Sequence, residues 1–193
     1  MATKNSSDET LFKVNEALYN ALSSYVDDGV DIRFDLPDTG SPPITPTISV
    51  FLYDIHEDLQ LKSAESRAYY DGKLQPGRMN VCCHYLITFW DKAATEGSPN
   101  GGPKNQAALV MNQVLNALIN SRQLSEIPNA FTRVMPPREG LNSFGNFWQS
   151  LGNRPRLVLN YSVTVPILLT DKNQEIPQVD NMYADVERQP QKY

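Results

Sequence analysis

Residues 79–90, MNVCCHYLITFW, form a sustained apolar run in which β-branched, aromatic and sulfur side chains dominate and neither Pro nor Gly occurs. The run is too short to span a membrane and too apolar for a surface strand, so it predicts a central strand covered on both faces. Alternation places Val81, Cys83, Tyr85, Ile87 and Phe89 on one face. Cys82, His84, Leu86, Thr88 and Trp90 take the other. Two further runs fit as its pairing strands: TISVFLYDI at residues 47–55 and RLVLNYSVTVPILL at residues 156–169. Pro166 interrupts the latter near its end, which fits an edge position or a strand terminus.

Elsewhere the period changes to that of a helix. Leu11, Val14, Leu18, Leu22 and Tyr25, with Ala17 and Ala21, recur every three or four residues and predict an amphipathic helix ending near Asp28-Gly29. Ser6 and Glu9 have capping-box spacing at its start. Between residues 104 and 120, Ala108, Met111, Val114, Leu115, Leu118 and Ile119 predict a second, more apolar helix. Val30, Ile32, Phe34 and Leu36 alternate with Asp31, Arg33 and Asp35, as in a half-exposed strand near a sheet edge. A short strand is expected over residues 131–134. A short helix over residues 143–151 would carry Phe144, Phe147, Trp148 and Leu151 on one side, with Gly152 ending it. The prolines at positions 37, 42, 43 and 46, the polar stretch 57–77 and the Gly/Pro-rich stretch 94–105 read as connections. The pattern gives an α/β (α+β) fold: one domain over residues 1–170, with a mixed, mostly antiparallel sheet flanked by helices. Residues 171–193, polar and poor in large apolar side chains, form an extended C-terminal arm or tail.

A length of 193 residues suits one domain with a real core, and the formal net charge of -5 gives no electrostatic reason to bind nucleic acid or an anionic membrane. No segment has the length and hydropathy of a membrane span, and the N-terminus lacks a signal-peptide pattern, so synthesis and folding in a reducing cytoplasm are expected. The two cysteines, Cys82 and Cys83, are adjacent and point to opposite faces, which disfavours a disulfide between them.

Candidate chemistry is sparse. Cys82, Cys83 and His84 raise the prospect of a thiolate nucleophile with an imidazole base, but neighbouring strand residues face opposite sides, which favours core packing for the thiols. His56 with Asp54, Glu57 and Asp58 invites a divalent ion, yet only two histidines occur and no Cys-x-x-Cys or His-x-x-x-His spacing is present. A solvated acidic turn is the expectation there, and a carboxylate pair built from Glu65 and Asp71 has no support from the sequence. No catalytic, metal-ligating or cofactor-binding residue is therefore assigned, and no cofactor is expected. In the C-terminal arm, Ile176, Val179, Met182, Tyr183 and Val186 are candidate anchors that order on a neighbouring subunit by strand addition.

The order of these motifs resembles the tail-terminator or cap proteins of contractile injection systems, the phage-tail-like particles of bacteria. The likeness rests on Phe51-Leu52-Tyr53, on His84-Tyr85-Leu86-Ile87-Thr88, and on the apolar helix from Met111 to Leu118. It continues through Phe147-Trp148-Gln149-Ser150-Leu151 and through Pro155, Leu157, Tyr161, Val163 and Val165. It runs over residues 8–169; the loop after Trp90 and the C-terminal tail depart from it. The resemblance implies a structural protein without catalytic residues, forming a homo-hexameric ring at the apical end of the particle. There it would end tube and sheath polymerisation and hold the last sheath ring, with sheath and inner-tube proteins as partners and neither nucleic acid nor membrane among them. A completion or connector protein of a contractile phage tail is the alternative within that class. A small enzyme using Cys82 or Cys83 with His84 is the alternative outside it.

Overall fold

The computed structural model describes residues 8–41, 43–59, 69–70, 73–74, 77–91, 102–136, 149 and 156–169. In chain order its elements are α1 (Thr10–Ser23), β1 (Asp31–Arg33), β2 (Thr47–Glu57), β3 (Tyr69–Tyr70), β4 (Lys73–Leu74), β5 (Arg78–Trp90), α2 (Gln106–Asn120), β6 (Phe131–Met135) and β7 (Val158–Leu168). A five-stranded sheet runs in the order β1-β2-β5-β7-β6, with a separate β3-β4 hairpin. β1 is parallel to β2 and every other pairing is antiparallel. The apolar run therefore sits where its composition places it, at the centre, between the two long strands expected to pair with it.

One face of the sheet carries the core. Ile48, Val50, Cys83, Tyr85, Ile87, Phe89, Tyr161, Val163 and Val165 meet Val14, Leu18 and Leu22 of α1 and Val110, Met111, Val114 and Leu118 of α2. Each such side chain, taken out of water, contributes roughly 1.5–3 kcal/mol, which makes this layer the main source of stability. One polar contact is built into it: the Tyr85 hydroxyl, on a residue with no exposed surface, donates to Asn15 Oδ1 of α1 at 2.9 Å.

Local chemistry explains the boundaries. α1 starts where Asp8 Oδ1 accepts from the Thr10 amide at 2.8 Å, and Glu9 holds the N-cap position without a side-chain bond of its own. Glu9 thus sits at the cap and not three residues inside the helix, and Ser6 of the expected capping box lies outside the described residues. α1 also ends earlier than its periodicity predicts, at Ser23, and Val26 continues the buried stripe from the following turn. α2 is capped by Asn105, whose side chain accepts from Ala108 N at 2.9 Å. Ile119, expected on its buried stripe, is 43% exposed, and Val110 and Ala117 are buried instead. Asn129, at φ 64°, makes the left-handed turn into β6, a conformation its short amide side chain tolerates. Pro166 sits at a local edge near the end of β7, as expected: β6 pairs only with Asn160–Thr164, so the missing N–H leaves no ladder bond broken. The helix expected over residues 143–151 lies outside the described residues, apart from Gln149, which is helical.

Burial sets the alkaline limit of this core. The Cys83 thiol is pushed from 9.0 to about 11, chiefly by desolvation and then by the neighbouring Cys82 thiol. Burial likewise raises the Tyr85 phenol, with Cys83 and Tyr161 adding to the effect. Both groups hold their protons more tightly when folded, so the unfolded chain releases protons first as pH rises. Stability is then full below about pH 9 and falls as pH climbs through 9.0 toward about 11. Denaturant midpoints measured across this range are expected to decline, and a flat profile would contradict the burial of these groups.

Candidate functional site

The second sheet face differs in kind. Here Cys82, His84 and Thr88 of β5 and Asn160, Ser162 and Thr164 of β7 are buried polar or sulfur side chains. Toward the start of β5 this face opens into a cleft of about 630 Å³, lined by His56, Cys82, His84, Arg133, Ser162 and Thr164 among others. Register explains who meets whom: Cys82 lies opposite His56 on β2 and Thr164 on β7, and His84 opposite Asp54 and Ser162.

A bulge brings the β2 residues there. Between Leu52 and Asp54 the pairing skips one residue, Tyr53. Before the bulge, Ile48, Val50 and Leu52 point into the helix-covered core. In an unbroken strand Asp54 and His56 would follow them there, but one extra residue reverses the alternation and turns both onto the cleft face. His56 is therefore a strand residue at the rim of a cleft, not part of a solvated acidic turn. Its Nδ1 lies 3.2 Å from Asp54 Oδ2, and its ring stacks on His84 with centroids 5.0 Å apart.

Cys82 and His84 are two residues apart and share a face. Cys83, adjacent to His84, faces the core, whereas Cys82 faces the cleft with His84. The Cys82 Sγ lies 3.4 Å from His84 Nε2 and 3.1 Å from Ser162 Oγ, with Cys82 6% and His84 3% exposed. A thiol beside an imidazole can act as a nucleophile with its base, or as a ligand pair. The surrounding backbone favours the second. β5 is flanked by β2 and β7, so the N–H groups around Cys82 are committed to ladders on both sides and leave no convergent pair to stabilise an oxyanion. Cys82 also lies within a strand, and among the described residues both helices pack on the opposite sheet face.

Of the other sequence candidates, Glu57 and Asp58 also line the cleft. Glu65, Asp71, the aromatic cluster Phe144, Phe147 and Trp148, and the arm residues Ile176, Val179, Met182, Tyr183 and Val186 all lie outside the described residues. Among the described residues no helix is long and apolar enough to cross a membrane. Ser162, Thr164 and Arg133 line the cleft without having been singled out in the sequence. The signal for the cleft was the parity of Asp54 and His56, polar residues at positions that continue the Ile48, Val50, Leu52 alternation.

Comparison with known proteins sets this fold in a family: residues 13–181 match the Pvc16 N-terminal domain. The chain belongs to the Pvc16 N-terminal domain family. Among solved structures it is similar to the PVC sheath/tube terminator of an extracellular contractile injection system in its extended state. That match has 49% identity and a TM-score of 0.76 and covers 98% of this chain and 66% of the terminator chain. It is also similar to the anti-feeding prophage cap, a tube terminating cap, at 57% identity and a TM-score of 0.74, over 90% of this chain and 60% of that one. The chain thus spans 66% and 60% of the length of these two structures. No curated protein matches it. The α+β fold with a mixed five-stranded sheet and helices, expected from the pattern of residues, agrees with these terminators, and so does the resemblance to the cap proteins.

Proposed function

We propose that this chain caps a contractile injection particle, ending the growth of tube and sheath and holding the last sheath ring. The observation that carries this reading is the likeness, at 49% and 57% identity over nearly the whole chain, to two structures that are terminators by name. The role is mechanical and not enzymatic, in keeping with a thiol-imidazole pair embedded among ladder-bonded strands.

A filament end exposes the contacts its next subunit would fill. A terminator has to match that surface on one side and offer no continuation on the other. Copies arranged in a closed ring, hexameric in this proposal, make individually weak contacts act together. The partners are then further copies of the chain and the sheath and inner-tube proteins, with no role for nucleic acid or membrane. Residues 171–193 act as an arm whose Ile176, Val179, Met182, Tyr183 and Val186 order against a neighbour. The protein is made in the cytoplasm and joins the apical end of a particle that is later released.

Gold labelling of a tagged chain in assembled particles tests the placement. Label is expected at one end of each extended particle. Label along the shaft, or particles without it, would overturn the proposal.

A further inference from the structure

We propose that His56, Cys82 and His84 bind a borderline-soft divalent transition metal, with Zn²⁺ the best-fitting ion. Their ligand atoms lie within 4.8 Å of one another at the cleft. The set, one thiol and two imidazoles, is the chemistry that such ions select over Mg²⁺ or Ca²⁺.

The spacing of the buried pair already fits. Metal–sulfur and metal–nitrogen bonds of about 2.3 and 2.0–2.1 Å at a tetrahedral angle put the two donor atoms about 3.5 Å apart. Cys82 Sγ and His84 Nε2 are 3.4 Å apart. His56 completes the set from the opposite strand. Its side chain is 42% exposed, so its ring can swing inward at little packing cost. The Asp54 carboxylate on His56 Nδ1, at 3.2 Å, directs Nε2 away from itself, the arrangement by which carboxylates orient metal-binding histidines. Ser162 Oγ, 3.1 Å from Cys82 Sγ, is placed to donate a hydrogen bond to the thiolate. Glu57 and Asp58 add negative charge at the cleft, opposed by Arg133. On binding, the Cys82 thiol gives its proton to solvent and the sulfur forms the bond to the metal; the fourth position is left to water from the cleft. The ion would tie β2 to β5 just past the bulge, where β2 is least regular.

Titration of the metal-free 193-residue chain with Co²⁺ reads this directly. One ion per chain is expected, with a sulfur-to-cobalt charge-transfer band and the strong visible bands of a four-coordinate site, both abolished by Zn²⁺. Cys82→Ser should remove the charge-transfer band, and Asp54→Asn should weaken binding by about 10- to 100-fold. His56→Gln should weaken it further and, being at the rim, leaves the core intact. Cys83→Ala, altering the opposite face, should bind as the parent does. No charge-transfer band, a band that survives Cys82→Ser, or an unchanged affinity in His56→Gln overturns the proposal.

Discussion

Replacing Tyr85 by alanine is expected to destabilise the chain by about 3–5 kcal/mol, a large share of the roughly 5–15 kcal/mol that holds an ordinary domain together. Tyr85 has no exposed surface, lies in the middle of β5 and faces both helices, so its removal leaves a hole bounded by strands that cannot close in. The same change leaves Asn15 Oδ1 of α1 without the hydroxyl that now reaches it at 2.9 Å. Tyr85→Phe separates the two effects: it keeps the ring and loses only the hydrogen bond, at a cost of about 1 kcal/mol. Chemical denaturation of the three proteins checks this. Equal losses in the two variants would mean that the hydroxyl, and not the packed ring, carries the stability.

The same residues show how much of the fold the sequence declares. A run such as that of β5 cannot be solvated on either side, so its central position follows from composition, and the lengths of β2 and β7 leave them as its neighbours. Helix existence followed from spacing, whereas helix ends depended on single contacts. Asp8 takes the Thr10 amide at the start of α1, and the helix stops at Ser23 while Val26 carries the buried stripe into the following turn.

The cleft was harder to read, and for a geometric reason. Its residues come from different strands: His56 from β2, Cys82 and His84 from β5, Ser162 from β7. Spacing along the chain cannot show which strands bring them together; register does. Even the pair within one strand is missed when Cys83 and His84, which do face apart, are allowed to stand for Cys82 and His84, which do not. The one legible clue was that Asp54 and His56 continue the core parity of Ile48, Val50 and Leu52. Polar residues on a buried parity demand either partners in the core or a break in the alternation, and the bulge at Tyr53 is that break.

The likeness to terminator and cap structures was legible by another route, the order of motifs across most of the chain. The proposed capping would be done by surfaces, and a surface shows its purpose only against the particle. A missing terminator leaves the last ring of tube and sheath with its contacts unsatisfied, so subunits continue to add or the sheath slips from its unanchored end. The effect on the particle is expected to be large, because no other step fixes where growth stops in this account.

Electron microscopy of particles assembled with this chain deleted therefore measures the decisive quantity, the distribution of tube and sheath lengths. Tubes that run to widely scattered lengths, or sheaths detached from their tubes, with uniform particles restored by resupplying the chain, are the outcome this account requires. Particles of normal, uniform length with sheaths still attached would contradict it.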